Sequence, residues 1–263
     1  MSSPLDALAQ RVRHARAVLL DWDGCLVQSG SLLPGAARFL RIAGSRAWVL
    51  SNNSTDVAES VETWLSRAGA HVPAARILLA GEQAVIAAAA RWRGAPVHLV
   101  ANSAMKARAR ALGLQIDAQG KSSEVVLLMR DTRFSYAKLA RAVGALRRGA
   151  RLVVSNTDRT HPADGGGVVP ETGALLAAIE ACVDLSRLEV EVFGKPAPNL
   201  FQTALERAGV APHEAVMIGD NPETDIAGAE RLGLPTITLA PPDGVTLETL
   251  AGALLGREGQ RQA

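Results

Sequence analysis

At 263 residues the chain exceeds the usual single-domain size and can form one large domain or two of modest size, with 48% hydrophobic content to build a core. Its 28 basic and 26 acidic residues leave a net charge of +2 with the signs interspersed, which argues against the one-signed field of a nucleic-acid or membrane surface. Cys25 and Cys182 make no metal-ligand pattern and no apolar run approaches the length of a membrane span, so the expectation is a cytoplasmic protein in a reducing compartment.

Residues 4–15 carry a helical pattern and end in the basic stretch Arg11-Val12-Arg13-His14-Ala15-Arg16. That stretch and Arg147-Arg148-Gly149-Ala150-Arg151 lack interleaved aromatics and read as solvated helix ends. The apolar run Ala17-Val18-Leu19-Leu20 predicts a buried strand over 17–22 that delivers Asp21-Trp22-Asp23-Gly24 to its C-terminal tip, where an open α/β sheet places chemistry. Alternate strand residues point opposite ways, so Asp21 and Asp23 reach one site only if the chain bends at Gly24. A helix is predicted at 35–43, a strand at 47–51 ending in Ser51-Asn52-Asn53, and a helix at 56–68.

The alanine-rich stretch 84–90 predicts a further helix, followed by a second alternation: a strand at 97–100, a basic helix at 103–112, a strand at 124–129, a helix at 135–147 and a strand at 152–154. Asp164-Gly165-Gly166-Gly167 reads as a mobile loop. Strands at 190–193, 215–219 and 235–239 then alternate with helices at 197–208 and 223–232. The pattern predicts an α/β fold: a Rossmann-like, doubly wound parallel sheet from residues 1–80 and 184–263, with a smaller α/β domain, 81–183, inserted. Trp48-Val49-Leu50-Ser51-Asn52-Asn53 and Leu152-Val153-Val154-Ser155-Asn156-Thr157 echo one another, as two strands with similar polar tips.

Four strand tips carry polar groups with chemical potential. Asp21 and Asp23 can divide nucleophile and acid/base work; Ser51-Asn52 offers a hydroxyl and backbone N–H groups to phosphate oxygens, or simply caps the following helix. Lys195, in Phe193-Gly194-Lys195-Pro196, can neutralise a phosphoryl group. Val216-Met217-Ile218-Gly219-Asp220 ends an apolar strand with a carboxylate suited to magnesium, and Glu223 and Asp225 can serve the N-terminus of the next helix. Each tip alone is an ordinary polar turn or cap; their joint order is not.

With nucleophile, hydroxyl, lysine and acid in that order, the chain from Val18 to about Ala240 resembles the haloacid-dehalogenase-like hydrolases. The likeness is to their p-nitrophenylphosphatase-like, sugar- and nucleotide-phosphatase-like branch. Residues 24–50 leave room for a loop and a helix, whereas 52–194 hold a domain, which matches the members whose α/β cap follows the second motif. Ser155-Asn156-Thr157-Asp158 and Val169-Pro170-Glu171-Thr172-Gly173 look like that branch's cap-closing segments.

The resemblance implies a magnesium-dependent phosphatase in which Asp21 forms an aspartyl-phosphate and Asp23 protonates the leaving alkoxide, then activates water. It assigns Mg2+ to the Asp21 carboxylate, the Asp23 carbonyl and the Asp220 carboxylate. Phosphoryl oxygens go to Ser51 and Lys195, with the Gly24 and Asn52 amides as lesser candidates, and Asp225 orients Lys195 or a metal-bound water. Asp23 argues against dehalogenation, which needs no leaving-group acid there. Asn156, Asp158, Arg159 and His161 are expected to meet the leaving group of a small phosphorylated metabolite. The chain departs from the family at Cys25, read as a core residue, and at Glu171, where glycine is common. A homodimer through the cap is compatible with the resemblance. The alternatives are a regulatory module that binds a phosphorylated metabolite without turnover, and a phosphotransferase.

Overall fold

The computed structural model describes residues 3–162, 167–241 and 244–256, so the expected loop at Asp164-Gly165-Gly166 lies outside the described residues. The chain begins with α1 (Pro4–His14), β1 (Ala17–Leu20), the hairpin β2 (Val27–Gln28) and β3 (Ser31–Leu32), α2 (Ala36–Ala43), β4 (Ala47–Ser51), α3 (Ala58–Arg67) and β5 (Ile77–Leu79). There follow α4 (Ala80–Arg91), β6 (Pro96–Val100), α5 (Ser103–Ala111), β7 (Gln115–Ile116), β8 (Val125–Leu128), α6 (Tyr136–Arg147) and β9 (Arg151–Val154). The last stretch holds β10 (Thr160–Pro162), β11 (Val168–Pro170), α7 (Thr172–Glu180), β12 (Val190–Val192), α8 (Asn199–Ala208), β13 (Ala215–Gly219), α9 (Ala227–Glu230), β14 (Thr236–Thr238) and α10 (Leu247–Gly256).

Two compact units result. The first comprises Met1–Ser51, Ala58–Leu78 and Pro198–Ala263; the second comprises Asn52–Val57 and Leu79–Ala197. The first is built on a sheet of order β14-β13-β1-β4-β5. β1 lies parallel between β13 and β4, with Leu20 opposite both Ile218 and Val49. Every residue of β1, β4 and β13 is buried, which is why these strands read as unbroken apolar runs rather than as alternating ones. α1 starts on a reciprocal capping box between Ser3 and Asp6. Its C-terminal carbonyls at Val12 and Ala15 accept hydrogen bonds from Arg46 Nη1 at 2.8 and 2.7 Å.

The second unit has its own sheet, order β12-β9-β8-β6-β7, with every paired strand parallel. Period-two alternation sends Val97, Leu99, Val125 and Leu127 into one apolar cluster with Val85 and Met105, and Val100, Val126 and Leu128 into another with Ala142, Leu146 and Ile179. One sheet thereby holds α4 and α5 against one face and α6 and α7 against the other.

The strand expected at 190–193 belongs to this second sheet, not to the core: Val190 pairs with Leu152 and Val192 with Val154. The inserted unit therefore runs on to Ala197 rather than ending at 183. A short β-rich run carries no record of which distant strand it will pair with. The helix expected at 223–232 is instead a π-helical turn, Pro222–Ile226, followed by the short α9. The two-residue strands β2, β3 and β7, and the helices α7 and α10, were not evident from periodicity.

His98, in β6, is buried and its Nδ1 lies 3.0 Å from the Asp117 carbonyl oxygen. Burial pushes its pKa below the ordinary histidine value of about 6.5, against a smaller raising effect of that hydrogen bond. The unfolded chain therefore takes up this proton more readily, so stability contributed at neutral pH is lost as pH falls through about 6.5 toward the depressed folded value. Urea-unfolding midpoints of the wild type should fall between about pH 7 and about pH 5, and His98→Gln should flatten that dependence. An equal slope in both proteins would contradict it.

Candidate active site

The first unit gathers carboxylates at the tips of its two central strands. Asp21 directly follows β1, its N–H donating to the Ile218 carbonyl at 3.0 Å, and Asp220 directly follows β13. Parallel register thus brings to one place two residues that are far apart in sequence. Asp225 joins them through the π-helical turn, and ligand oxygens of Asp21, Asp220 and Asp225 all lie within 4.8 Å of one another. Of the residues expected to hold metal or support it, Asp21, Asp220 and Asp225 converge.

Two glycines make this possible. Gly24 adopts φ +82°, and a Cβ there would stand 2.3 Å from Asp220 Oδ2. The turn it serves is closed by Gly24 N–H to the Val27 carbonyl at 2.8 Å and Val27 N–H to the Trp22 carbonyl at 2.9 Å. A Cβ at Gly219 would meet Asp225 Oδ2 at 2.2 Å. Asp225 Oδ2 accepts from the Asn221 N–H at 3.2 Å and Oδ1 from Thr224 Oγ1 at 3.4 Å, so its carboxylate is fixed by its own loop. Asn221 in turn caps the π-helical turn, accepting from the Glu223 and Thr224 N–H groups.

Asp23 is exposed, unlike Asp21, and its carboxylate is not part of the cluster. Cys25 is fully buried with Sγ 3.6 Å from the Ile218 carbonyl oxygen, in agreement with its reading as a core residue. Ser51 ends β4 and is buried.

Three hard oxygen donors at this spacing fit a magnesium ion, which prefers carboxylate and water ligands. The glycine-lined approach of Gly24 to Asp220 leaves the donors no intervening methyl group.

The second unit collects a different set. Asn52 Nδ2 donates to Asp158 Oδ2 at 2.9 Å and to the Lys195 carbonyl at 3.0 Å; Asn156 Nδ2 donates to the Asn52 carbonyl at 2.7 Å. Asn156 is 1% exposed, and its Oδ1 accepts from the Asp158 N–H at 3.1 Å. Lys195 is buried, at 2% exposure. The two segments expected to close the cap do meet: Gly173 N–H donates to the Asp158 carbonyl at 2.8 Å, and a Cβ at Gly173 would sit 2.3 Å from the Thr157 carbonyl oxygen.

Glu171 is held rather than loose. Its Oε1 lies 3.1 Å from Arg130 Nη1 and 2.6 Å from His161 Nδ1. His161 is partly exposed, and Arg159 is exposed, with its carbonyl accepting from the Glu171 N–H at 2.9 Å. The structure therefore brings Asn52, Asn156, Asp158 and the Lys195 backbone into one network, and His161 and Glu171 into another.

Sequence reasoning missed a buried hydroxyl cluster in the same unit. Thr172 Oγ1 lies 3.3 Å from both Ser54 Oγ and Ser155 Oγ, and Ser54 Oγ accepts from the Arg130 N–H at 3.2 Å. These contacts join residues separated by up to 118 positions, for which a single sequence holds no signal. Asn53 forms a local turn, its Oδ1 accepting from the Thr55 and Asp56 N–H groups at 2.9 Å each.

The Gly24 turn yields a direct test. Gly24→Ala should displace Asp220 and weaken magnesium binding about 10–100-fold, the usual cost of disturbing the support of a ligand. Magnesium titration calorimetry checks it; unchanged affinity would remove Asp220 from the metal set.

Comparison with known proteins agrees with this geometry. Residues 15–233 match a family described as haloacid dehalogenase-like hydrolase. Chronophin of Mus musculus is 32% identical over 244 residues, with 88% of this chain and 82% of that protein covered. A dihydroxyacetone phosphatase of Corynebacterium glutamicum (strain R) is 29% identical over 223 residues, with 83% of this chain and 78% of that protein covered. Among solved structures, a glycerol phosphate phosphatase from Mycobacterium tuberculosis in complex with magnesium is 26% identical with a TM-score of 0.80, covering 91% of this chain and 77% of that one.

Proposed function

The chain belongs to the haloacid dehalogenase-like hydrolases, and from that premise we propose that it is a magnesium-dependent phosphatase working through an aspartyl-phosphate on Asp21. It is a phosphoric monoester hydrolase acting on small phosphorylated metabolites. The observation that carries the mechanism is the convergence of Asp21 and Asp220, which follow neighbouring parallel strands, with Asp225 of the π-helical turn.

In this reading an Asp21 oxygen attacks phosphorus and the bond to the ester oxygen breaks. Asp23, exposed beside the nucleophile in sequence, gives its proton to the leaving alkoxide. It then takes a proton from a water that attacks the same phosphorus, which frees inorganic phosphate and restores Asp21. Asp21, the Asp23 carbonyl and Asp220 would hold magnesium, with Asp225 fixed beside them. When bound, the ion offsets the repulsion between a carboxylate nucleophile and an anionic ester. Ser51 and Lys195 take the phosphoryl oxygens, with the Gly24 and Asn52 amides in support.

Three-carbon phosphates are the favoured substrates, since relatives are a dihydroxyacetone phosphatase and a glycerol phosphate phosphatase. Asp158, Arg159 and His161 are the residues assigned to the leaving group. Glu171, tied to Arg130 and His161, sets the position of the His161 ring. Among the described residues no helix is long and apolar enough to cross a membrane. The reading keeps the cytoplasm as its compartment. It takes a homodimer through the second unit as the oligomeric form, for which the exposed Val190 on edge strand β12 is the support.

Phosphate release from a panel of phosphomonoesters, with and without magnesium, tests the proposal. Asp21→Asn should abolish turnover, and Asp23→Asn should lower it by about 10²–10⁴. Full activity of Asp21→Asn would refute the mechanism. Ser51→Ala should reduce turnover strongly and Ser155→Ala only modestly, because Ser155 is engaged with Thr172 in the hydroxyl cluster; the reverse ranking would exchange the roles of the two echoed strand tips.

A further inference from the structure

Asn156 was expected to contact the leaving group, but its surroundings suit another task. The side chain is 1% exposed, and each of its polar atoms is engaged inside the second unit. Nδ2 donates to the Asn52 carbonyl at 2.7 Å and reaches Thr172 Oγ1 at 3.4 Å; Oδ1 accepts from the Asp158 N–H at 3.1 Å. The Asn52 side chain continues the chain of contacts, its Nδ2 donating to the Lys195 carbonyl at 3.0 Å and to Asp158 Oδ2 at 2.9 Å. Both partners of Asn52 Nδ2 are acceptors, as is the Asn52 carbonyl that faces Asn156 Nδ2, so the orientation of each amide is fixed by chemistry.

The return segment is clamped at the same place. Gly194 N–H donates to the Ser155 carbonyl at 2.7 Å, and Phe193 N–H to the Val154 carbonyl at 3.0 Å. A Cβ at Gly194 would lie 2.6 Å from Asn52 Oδ1, 2.8 Å from Asn156 Cβ and 2.8 Å from the Ser155 carbonyl oxygen. Three segments distant in sequence, at 52, 155–158 and 194–195, are thus in van der Waals and hydrogen-bonded contact with no room for a methyl group. Lysine has a long, flexible stem, so its ammonium is placed accurately only if the backbone it springs from is fixed.

We propose that Asn156, acting through Asn52, is a positioning residue for Lys195: it holds the Asn52 carbonyl, Asn52 holds the Lys195 carbonyl, and the lysine ammonium is thereby aimed. This rests on the assignment of Lys195 to the phosphoryl oxygens. It also removes Asn156 from the residues that read the leaving group and leaves that work to Asp158, the exposed Arg159 and the partly exposed His161.

The test is a double-mutant cycle on phosphate release at saturating magnesium. Asn156→Ala should lower kcat/KM about tenfold to a hundredfold, with the loss mostly in kcat and nearly the same for every ester in a panel. In the Lys195→Ala background the same substitution should change turnover by less than about twofold, because the group it positions is gone. Ser54→Ala removes a buried hydroxyl from the neighbouring cluster without touching Asn156, and should lower the melting temperature while turnover stays near wild type. Should Asn156→Ala not fold, Asn52→Ala removes the next link while keeping the backbone amide, and the same cycle decides.

Losses that multiply in the double variant, or a loss confined to one leaving group, overturn the positioning role while leaving Lys195 in place. Wild-type turnover by Lys195→Ala overturns the Lys195 assignment and this inference with it.

Discussion

Three carboxylates held at the end of a buried parallel sheet are the constraint to which the first unit answers. With ligand oxygens within 4.8 Å of one another, each pair, if ionised, repels by at least about 3.5 kcal/mol at an effective dielectric near 20. A divalent cation held among them would offset that repulsion. The arrangement follows from strand geometry. β1 and β13 run parallel with Leu20 opposite Ile218, so Asp21 emerges beside Gly219 and the next residue of that strand's tip is Asp220. Gly24 and Gly219 then remove the methyl groups that would hold Asp220 and Asp225 away.

In the second unit the constraint is a different one, the satisfaction of buried polar groups. Ser54, Ser155, Asn156 and Thr172 are all buried, and a hydroxyl or amide there is tolerated only with partners. They supply one another, and the resulting network ties Asn52–Val57 to the strand tip at Ser155 and to the start of α7. Gly81 contributes from α4: its N–H donates to the Asn53 carbonyl at 3.1 Å, and a Cβ there would sit 2.6 Å from Ser54 Cα. A short crossing segment is thereby made as well determined as a strand. Such networks cost little when complete and much when broken, so they suit a place where backbone position matters to chemistry.

Much of this was legible in the sequence because burial on both faces writes itself as an apolar run. Ala17–Leu20, Ala47–Ser51 and Ala215–Gly219 were read correctly as strands for that reason, and the polar residues that end them announced the tips. Motif order led to an insertion expected over 81–183, whereas the second compact unit comprises Asn52–Val57 and Leu79–Ala197. What stayed hidden depends on long-range partners. Val190–Val192 read as a core strand but pairs with Arg151–Val154, and nothing in three residues favours one sheet over another. The pairing of Glu171 with Arg130 and His161, and the meeting of Ser54 with Thr172, are likewise products of the fold. Asn156 shows the limit most clearly: its identity suggested recognition, whereas its burial and full set of partners give it an internal role.

Locating the phosphoryl group on the protein during turnover tests the central claim most directly. The enzyme is mixed with a phosphomonoester and magnesium, quenched in acid within a turnover, and the peptide spanning Asp21 and Asp23 analysed by mass spectrometry. Phosphorylation confined to Asp21 is the predicted result. A phosphoryl group on another residue, or turnover at full rate with no phosphoprotein trapped even when Asp23→Asn slows breakdown of the intermediate, would contradict it.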